Sequence, residues 1–383
     1  MHNFHYANPT QIYFGRGEIA AIRALLPAKA RLLLLYGGGS IKRNGVYAQV
    51  CEALAGRDWF EFSGIGANPD YDTLMQAVEL VRRERIDFLL AVGGGSVLDG
   101  AKFVAAAAPF QGGDPWALLA DKVAVEGALP LGCVLTLPAT GSESNPVAVI
   151  SRGAAKLSFR SPHLQPRFAV LDPAVTFSLP ARQVGNGVVD AFVHILEQYL
   201  TYPVQADVQD RLAEGLLLAL IDNGPRALSE PDNYPVRANL MWAASLALNG
   251  LIGRGVPQDW STHAIGHQLT ALYGLDHAQS LAVVLPSLLR EQAMAKQEKL
   301  CQLGRRVWQL PQQESATLSE ACIQHIEAFF RQMGVATRLS DYGLHEGCMT
   351  AICSNLRHFG LTMLGEHGDL DPDRVARVLA RAR

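Results

Sequence analysis

No stretch of this sequence approaches the ~18 consecutive apolar residues that a bilayer span requires, and its first residues, MHNFHYANPTQIYFG, lack a basic segment leading into an apolar one. Neither a membrane anchor nor a secretory leader is expected, so the cytoplasm is the expected location. Charge of one sign is lacking as well. The 33 Lys and Arg stand against 36 Asp and Glu, a net charge of -3, which gives nucleic acid or an anionic membrane no electrostatic reason to bind. Cysteine is scarce, and the six present (Cys51, Cys133, Cys301, Cys322, Cys348, Cys353) include no C-x-x-C pair. A reduced thiol in an apolar setting acts as a small hydrophobe, and a structural role is expected for all six. Internal repeats and low-complexity tracts are absent. A small neutral substrate suits what remains.

What is present is enough apolar material, 49% of 383 residues, for a large core in a chain too long for one ordinary domain. Up to about residue 180, short apolar runs end at glycine or proline: RLLLLY (31–36), IDFLLAV (86–92), LGCVLTLP (131–138) and RFAVLDP (167–173). Helical stretches such as YDTLMQAVELVRRER lie between them. Runs of this kind predict parallel strands buried on both faces, hence a doubly wound α/β domain. Beyond SLPARQ (178–183) the β-rich runs vanish, and apolar residues recur at three- and four-residue spacing, as in AFVHILEQYL and ESATLSEACIQHIEAFFRQMG. The expected domains are an α/β domain over 1–182 and an all-helical domain over 183–383.

Two glycine turns stand out in the first half. AVGGGSVLDGAKFVAAA (91–107) runs from strand through three glycines and Ser96 into a helix carrying Asp99 and Lys102. Such a turn brings bare backbone N–H groups and the positive end of a helix dipole toward a phosphate. The spacing is not G-x-G-x-x-G, so a mere tight turn is the alternative. LYGGGSIKRNG (35–45) repeats the arrangement and lacks an acidic residue, offering Gly38, Gly39 and Ser40 followed by Lys42 and Arg43. A site selecting an unphosphorylated ribose normally presents Asp or Glu. A hydroxyl with two cations favours a 2′-phosphate, so NADP(H) is expected over NAD(H).

The second half concentrates histidine. In NGVVDAFVHILEQYL (186–200), Asp190 and His194 lie four apart on one helix face. STHAIGHQLTALYGLDHAQ (261–279) holds a second such pair, His263 and His267, and His277 follows a turn at Gly274-Leu275. Asp190, His194 and two of the three later histidines would supply one oxygen and three nitrogens, a set suited to Zn²⁺ or Fe²⁺ with room for a substrate oxygen. His163, His325, His345 and His358 have no comparable arrangement, and His2 and His5 fall in an expected mobile terminus.

Taken jointly and in order, NPTQIYFGRG, ANPDYDT, GGGSVLDGAK, TLPATGSESN, FAVLDP, DAFVHILEQY and STHAIGHQLTALYGLDHAQ resemble the iron-containing (group III) alcohol dehydrogenases over essentially the full length. The resemblance is strongest to their NADPH-dependent aldehyde reductase and butanol dehydrogenase branch. It implies a Rossmann-like parallel-sheet domain followed by an all-α domain, the architecture also of dehydroquinate synthase, with the active site in the cleft between them and a homodimer as the assembly. It further implies Asp190, His194, His263 and His277 as ligands of one divalent metal, and His267 as a non-ligand catalytic histidine near nicotinamide and substrate. For the cofactor it implies Gly94, Gly95 and Ser96 at the pyrophosphate and Asn68 on the adenosine side. Asp99, Thr136, Thr140 and Lys156 fall at the nicotinamide half, and Gly38, Gly39 and Ser40 at the adenine ribose. Two departures stand out: ATGSE (139–143) is shorter than the TTAGTGSE of many members, and Asp276-His277-Ala278 replaces their Pro-His-Gly. The first bears on the nicotinamide contacts, the second on the loop beside the metal.

The activity implied is reversible NADPH-dependent reduction of an aldehyde to a primary alcohol, the metal polarising the carbonyl oxygen. Two alternatives stand beside it. One is a nucleotide- and metal-dependent cyclase or lyase of the dehydroquinate-synthase type, which would carry Glu at position 190. The other is a non-catalytic metal-binding or nucleotide-sensing protein.

Overall fold

The computed structural model describes all residues, 1–383, and the chain divides into two compact units. One comprises Ala7–Leu179 with Pro231–Ser245, the other Met1–Tyr6, Pro180–Glu230 and Leu246–Arg383. Two short segments therefore do not follow a single cut after residue 182. Pro231–Ser245 joins the first unit because Met241 is fully buried in its core, Trp242 packs edge-on against Phe14, and the Ser245 hydroxyl donates to the buried Glu143 carboxylate. Met1–Tyr6 joins the second, its terminal ammonium donating to the Val204 carbonyl and the His2 N–H to that of Gly255 at 2.9 Å. The expected mobile terminus holding His2 and His5 is thus pinned at its first two residues.

The first unit is built on six parallel strands, β1 (Gln11–Phe14), β2 (Leu32–Tyr36), β3 (Trp59–Phe62), β4 (Phe88–Gly94), β5 (Leu131–Leu137) and β8 (Phe168–Leu171), in the order β1-β8-β5-β4-β2-β3. A separate antiparallel hairpin pairs β6 (Val147–Arg152) with β7 (Ala155–Arg160). The four continuous apolar runs are β2, β4, β5 and β8, the inner strands, and their alternate residues enter two different cores. Leu33, Leu35, Leu89 and Ala91 face one, with helices α2 (Tyr71–Glu84) and α3 (Gly95–Ala107). Leu32, Leu34, Leu90 and Val92 face the other, with α1 (Val46–Ala53). The strands the sequence reading did not single out are short, half-exposed β1 and β3 at the edges, and the hairpin. From β2 the chain moves outward to β3, whereas from β4 it moves the opposite way to β5. The reversal places a topological switch point between the carboxyl ends of β2 and β4, where both glycine turns lie.

Inside this unit sits a cation. Lys102 of α3 has no exposed surface, and its three N–H groups are matched by three acceptors: Ser142 Oγ at 2.7 Å, Asn145 Oδ1 at 3.2 Å and the Val147 carbonyl at 2.8 Å. The Ser142 hydroxyl in turn donates a hydrogen bond to Asp99 Oδ1 at 2.6 Å, and Val149 N–H donates to Asp99 Oδ2 at 3.0 Å. Burial pulls the Lys102 ammonium down to about 8, Asp99 opposing it. Burial likewise raises the Asp99 carboxyl, with Lys102 and Ser142 opposing.

The second unit is helical: α4 (Ala181–Tyr199), α5 (Asp207–Ser229), α7 (Ser261–Tyr273), α8 (His277–Glu291), α9 (Gln297–Arg306), α10 (Ser315–Gln332), α11 (Gly347–His358) and α12 (Pro372–Arg381). Helix α6 (Tyr234–Leu248) belongs to the first unit as far as Ser245. Every residue of α4 from Val188 to Tyr199 is buried. A helix enclosed all round must account for its polar side chains. Gln198 does so by donating to the His194 and Ala247 carbonyls at 2.7 and 2.8 Å, and Tyr199 by donating to Glu214 at 2.9 Å. Five of the six cysteines are buried and all are free thiols.

Removing the buried ammonium should strand the Asp99 carboxylate. Lys102→Met is expected to lower the free energy of unfolding by about 3–5 kcal/mol, read from the denaturant midpoint. A midpoint equal to wild type would contradict this account.

Candidate metal centre

The remaining polar residues in the buried stretch of α4, 188–199, are Asp190, His194 and Glu197, spaced by four and three and so stacked on one face. Helix α7 contributes His263 and, one turn on, His267. It ends at Gly274, whose φ of 71° is the left-handed conformation glycine accepts without strain. Two residues later Asp276 precedes α8, leaving His277 as the first helical residue. The Asp276 N–H donates to Gln279 Oε1 at 3.1 Å, and its carboxylate accepts from Asn186 of α4 at 2.9 Å and pairs with Arg182 at 3.4 Å. The turn bearing His277 is thereby tied to the helix bearing Asp190.

Asp190, His194, His263 and His277 each present one donor atom, all within 4.8 Å of one another. Asp190 Oδ1 is 3.5 Å from His194 Nε2, 3.9 Å from His263 Nε2 and 3.5 Å from His277 Nε2. This oxygen is buried and takes part in no hydrogen bond. Bonds of about 2.1 Å to one tetrahedral cation would hold its donors about 3.4 Å apart, so the spacing matches four groups sharing an ion better than groups bonding each other. The donor set, one oxygen and three imidazole nitrogens, suits Zn²⁺ and Fe²⁺. The His194 and His263 rings stack with centroids 4.7 Å apart. His267 stands just outside, half-buried, its ring 6.0 Å from that of His263 and 5.4 Å from that of His277.

Sequence reasoning missed Glu197. Its Oε1 accepts the His263 backbone N–H at 3.2 Å, and its Oε2 pairs with His263 Nδ1. Burial, reinforced by the nearby Asp259 charge, pushes this carboxyl well above the ordinary range. The signal was its place on the stripe of Asp190 and His194, but a glutamate at helical spacing reads equally well as a solvated side chain.

The residues expected at a cofactor all lie in the first unit. Gly38, Gly39 and Ser40 follow β2, Gly94 ends β4, and Gly95 and Ser96 open α3, so the two sets flank the switch point. They differ in character. A Cβ on Gly95 would fall 2.3 Å from Thr140 Oγ1, so packing there requires glycine, and one on Gly94 would lie 3.1 Å from the Leu137 Cβ, a tight fit. Added carbons on Gly38 and Gly39 meet nothing within 4 Å, leaving that turn open to a ligand. Asn68 adopts a left-handed φ of 56° and accepts from Lys156 Nζ at 2.7 Å. Thr136 lies near the end of β5, and Thr140 Oγ1 accepts the Ser142 N–H at 3.3 Å. Asp99, also expected there, accepts from the Ser142 hydroxyl and the Val149 N–H. The turn at Ser40 contains no carboxylate, yet the fold brings one near: Glu61 of β3 lies 3.8 Å from Lys42 Nζ. It also accepts the Tyr36 and Tyr47 hydroxyls at 3.2 and 2.7 Å.

Two family models match the chain in succession, the iron-containing alcohol dehydrogenase over residues 9–173 and the Fe-containing alcohol dehydrogenase family, C-terminal, over 185–357. The chain is 56% identical over 387 aligned positions to the NADPH-dependent aldehyde reductase YqhD of Escherichia coli (strain K12), with 100% of each covered. Among solved structures it resembles E. coli K-12 YqhD with a TM-score of 0.99 at 55% identity, covering 100% of this chain and 99% of that one. It also resembles the NADH-dependent butanol dehydrogenase A of Thermotoga maritima, with a TM-score of 0.95 at 36% identity and the same coverage.

Asp190→Ala takes the common oxygen from the cluster. Elemental analysis after exhaustive dialysis is expected to show about one divalent cation per chain in the wild type and a background level in the variant. Undiminished metal in the variant would contradict the geometric account.

Proposed function

This chain belongs to the iron-containing alcohol dehydrogenase family, and on that premise we propose that it reduces aldehydes to primary alcohols with NADPH, reversibly, by hydride transfer. The observation that supports this most is the convergence of three imidazole Nε2 atoms on the hydrogen-bond-free oxygen of Asp190. In this reading Asp190, His194, His263 and His277 hold one cation, Fe²⁺ or Zn²⁺. When bound, it supplies Lewis acidity to the carbonyl oxygen, and bound NADPH supplies the hydride.

The chain's own groups do the rest. Gly94, Gly95 and Ser96 at the amino end of α3 offer backbone N–H groups and the helix dipole to the pyrophosphate. The open turn at Gly38, Gly39 and Ser40 receives the adenine ribose, and Asn68, Thr136, Thr140 and Lys156 complete the cofactor cradle. NADPH is favoured over NADH because Lys42 and Arg43 follow that turn and Glu61 is engaged by two hydroxyls and an ammonium. The identity to an NADPH-dependent aldehyde reductase points the same way. His267 is assigned to the chemistry, where its ring nitrogens hold or move the proton that the developing alkoxide requires. No helix is long and apolar enough to cross a membrane. A cytoplasmic homodimer completes the proposal, on the family resemblance.

Metal-loaded protein given NADPH and butanal tests the reading. One NADPH should be oxidised per aldehyde consumed, with a higher kcat/KM for NADPH than for NADH; no turnover with any aldehyde or alcohol would refute it. Ser40→Asp should lower the NADPH-to-NADH preference at least about tenfold, because roughly 1.4 kcal/mol of repulsion between carboxylate and 2′-phosphate suffices for that. His267→Ala is expected to retain its cation and lose turnover by about 10²–10⁴-fold. Wild-type turnover in that variant would remove His267 from the mechanism.

A further inference from the structure

We propose that Glu197 is a positioning residue of the metal centre, holding the His263 ring in the orientation and tautomer that turn its Nε2 toward Asp190. The inference rests on the metal-binding reading above and extends it to a residue that touches neither cation nor substrate.

One carboxylate grips His263 at two points, the backbone N–H through Oε1 and the ring Nδ1 through Oε2. With both ends held, the side chain has little rotameric freedom. With Nδ1 turned to a carboxylate, the ring proton belongs on that side and the Nε2 lone pair faces Asp190 Oδ1, 3.9 Å away. Carboxylate partners of this kind orient ligand imidazoles and raise their basicity. Glu197 can do this because α4 sets it three residues beyond His194 and seven beyond Asp190, so a single helix supplies two donors and the support for a third.

The approach of α4 to α7 does not depend on this grip. The Asp259 N–H donates to the Glu197 carbonyl at 2.8 Å, and Asp259 Oδ1 accepts the Ser261 N–H at 3.0 Å at the start of α7. Buried Lys296 donates to the Leu200 carbonyl at 2.7 Å and pairs with Asp259 and Glu366, each at 2.9 Å. This separate clamp joins the end of α4 to the start of α7, so altering the Glu197 side chain should leave the helices in place.

Glutamine in place of Glu197 has nearly the same shape but one acceptor atom for two donors. If its oxygen serves the backbone N–H, its NH₂ faces Nδ1 and drives the ring proton onto Nε2, the wrong nitrogen for a ligand. Aspartate keeps the charge and shortens the reach.

The test is titration of Zn²⁺ into chelator-stripped full-length protein against a competing chelator, for wild type, Glu197→Gln, Glu197→Asp and a control, Glu327→Gln, which removes a buried carboxylate of α10. Glu197→Gln is expected to bind Zn²⁺ about 10–100-fold more weakly than wild type. Glu197→Asp should fall between them and the control should match wild type, with the KM for NADPH unchanged throughout. Wild-type affinity in Glu197→Gln, beside tight binding by wild type, overturns the inference and leaves the proposed function standing. Absence of Zn²⁺ binding by wild type overturns both. If Glu197→Gln does not fold, Glu197→Asp decides, and wild-type affinity there overturns the inference.

Discussion

A carboxylate buried within a helix that is itself buried on every side is the constraint around which the helical unit is arranged. Asp190 sits mid-way along α4 with one oxygen that accepts no hydrogen bond, and a buried acceptor left in that state costs about 1–3 kcal/mol. Three imidazoles approach that oxygen at 3.5–3.9 Å, close enough to share a ligand with it and too far to bond it well. With Glu197 behind His263, two carboxyl groups and three imidazoles crowd a small volume. A divalent cation is the species whose charge and coordination answer that arrangement.

The sheet unit offers the contrast. Lys102 is as deeply buried as Asp190, but each of its three N–H groups has an acceptor, and Asp99 balances its charge through Ser142. Nothing external is needed to complete that network. Its two glycine turns need glycine for different reasons: a Cβ on Gly95 would collide with Thr140, whereas Gly39 has open space around it and a left-handed φ of 86°. Asp190, by contrast, has a buried oxygen that no hydrogen bond within the protein satisfies.

Much of this was legible in the sequence. The four apolar runs ending in glycine or proline are the inner strands, because a strand buried on both faces must be apolar at every position. The pairs Asp190/His194 and His263/His267 announced themselves by a spacing that puts both members on one helix face. What stayed hidden depends on contacts between distant residues. Glu61 lies outside the Ser40 turn in sequence but reaches Lys42 from the neighbouring strand. The resemblance put Asp99 beside the cofactor, and only the fold shows that Ser142 and Val149 also donate to it. Glu197 carried the right spacing and no sign of burial. The amino terminus read as free because nothing local holds it, whereas the groups that do, the carbonyls of Val204 and Gly255, are some two hundred residues away.

The turn between α7 and α8 shows how side-chain bonds hold a backbone in which proline would also fit. Many members place Pro-His-Gly where this chain has Asp276-His277-Ala278, which from sequence suggested a loop of altered shape. Asp276 has φ of -56°, a value that a proline ring would fix by itself. Here side-chain bonds to Asn186 and Arg182, and the bond from its own N–H to Gln279, hold Asp276 in place. Ala278 lies inside the first turn of α8 and is buried, a position with no need of glycine's freedom, where alanine is favoured by roughly 1 kcal/mol. The bonds to Asn186 and Arg182 run to α4, the helix that carries Asp190 and His194. His277 is thus positioned by the same element that supplies the groups it must meet.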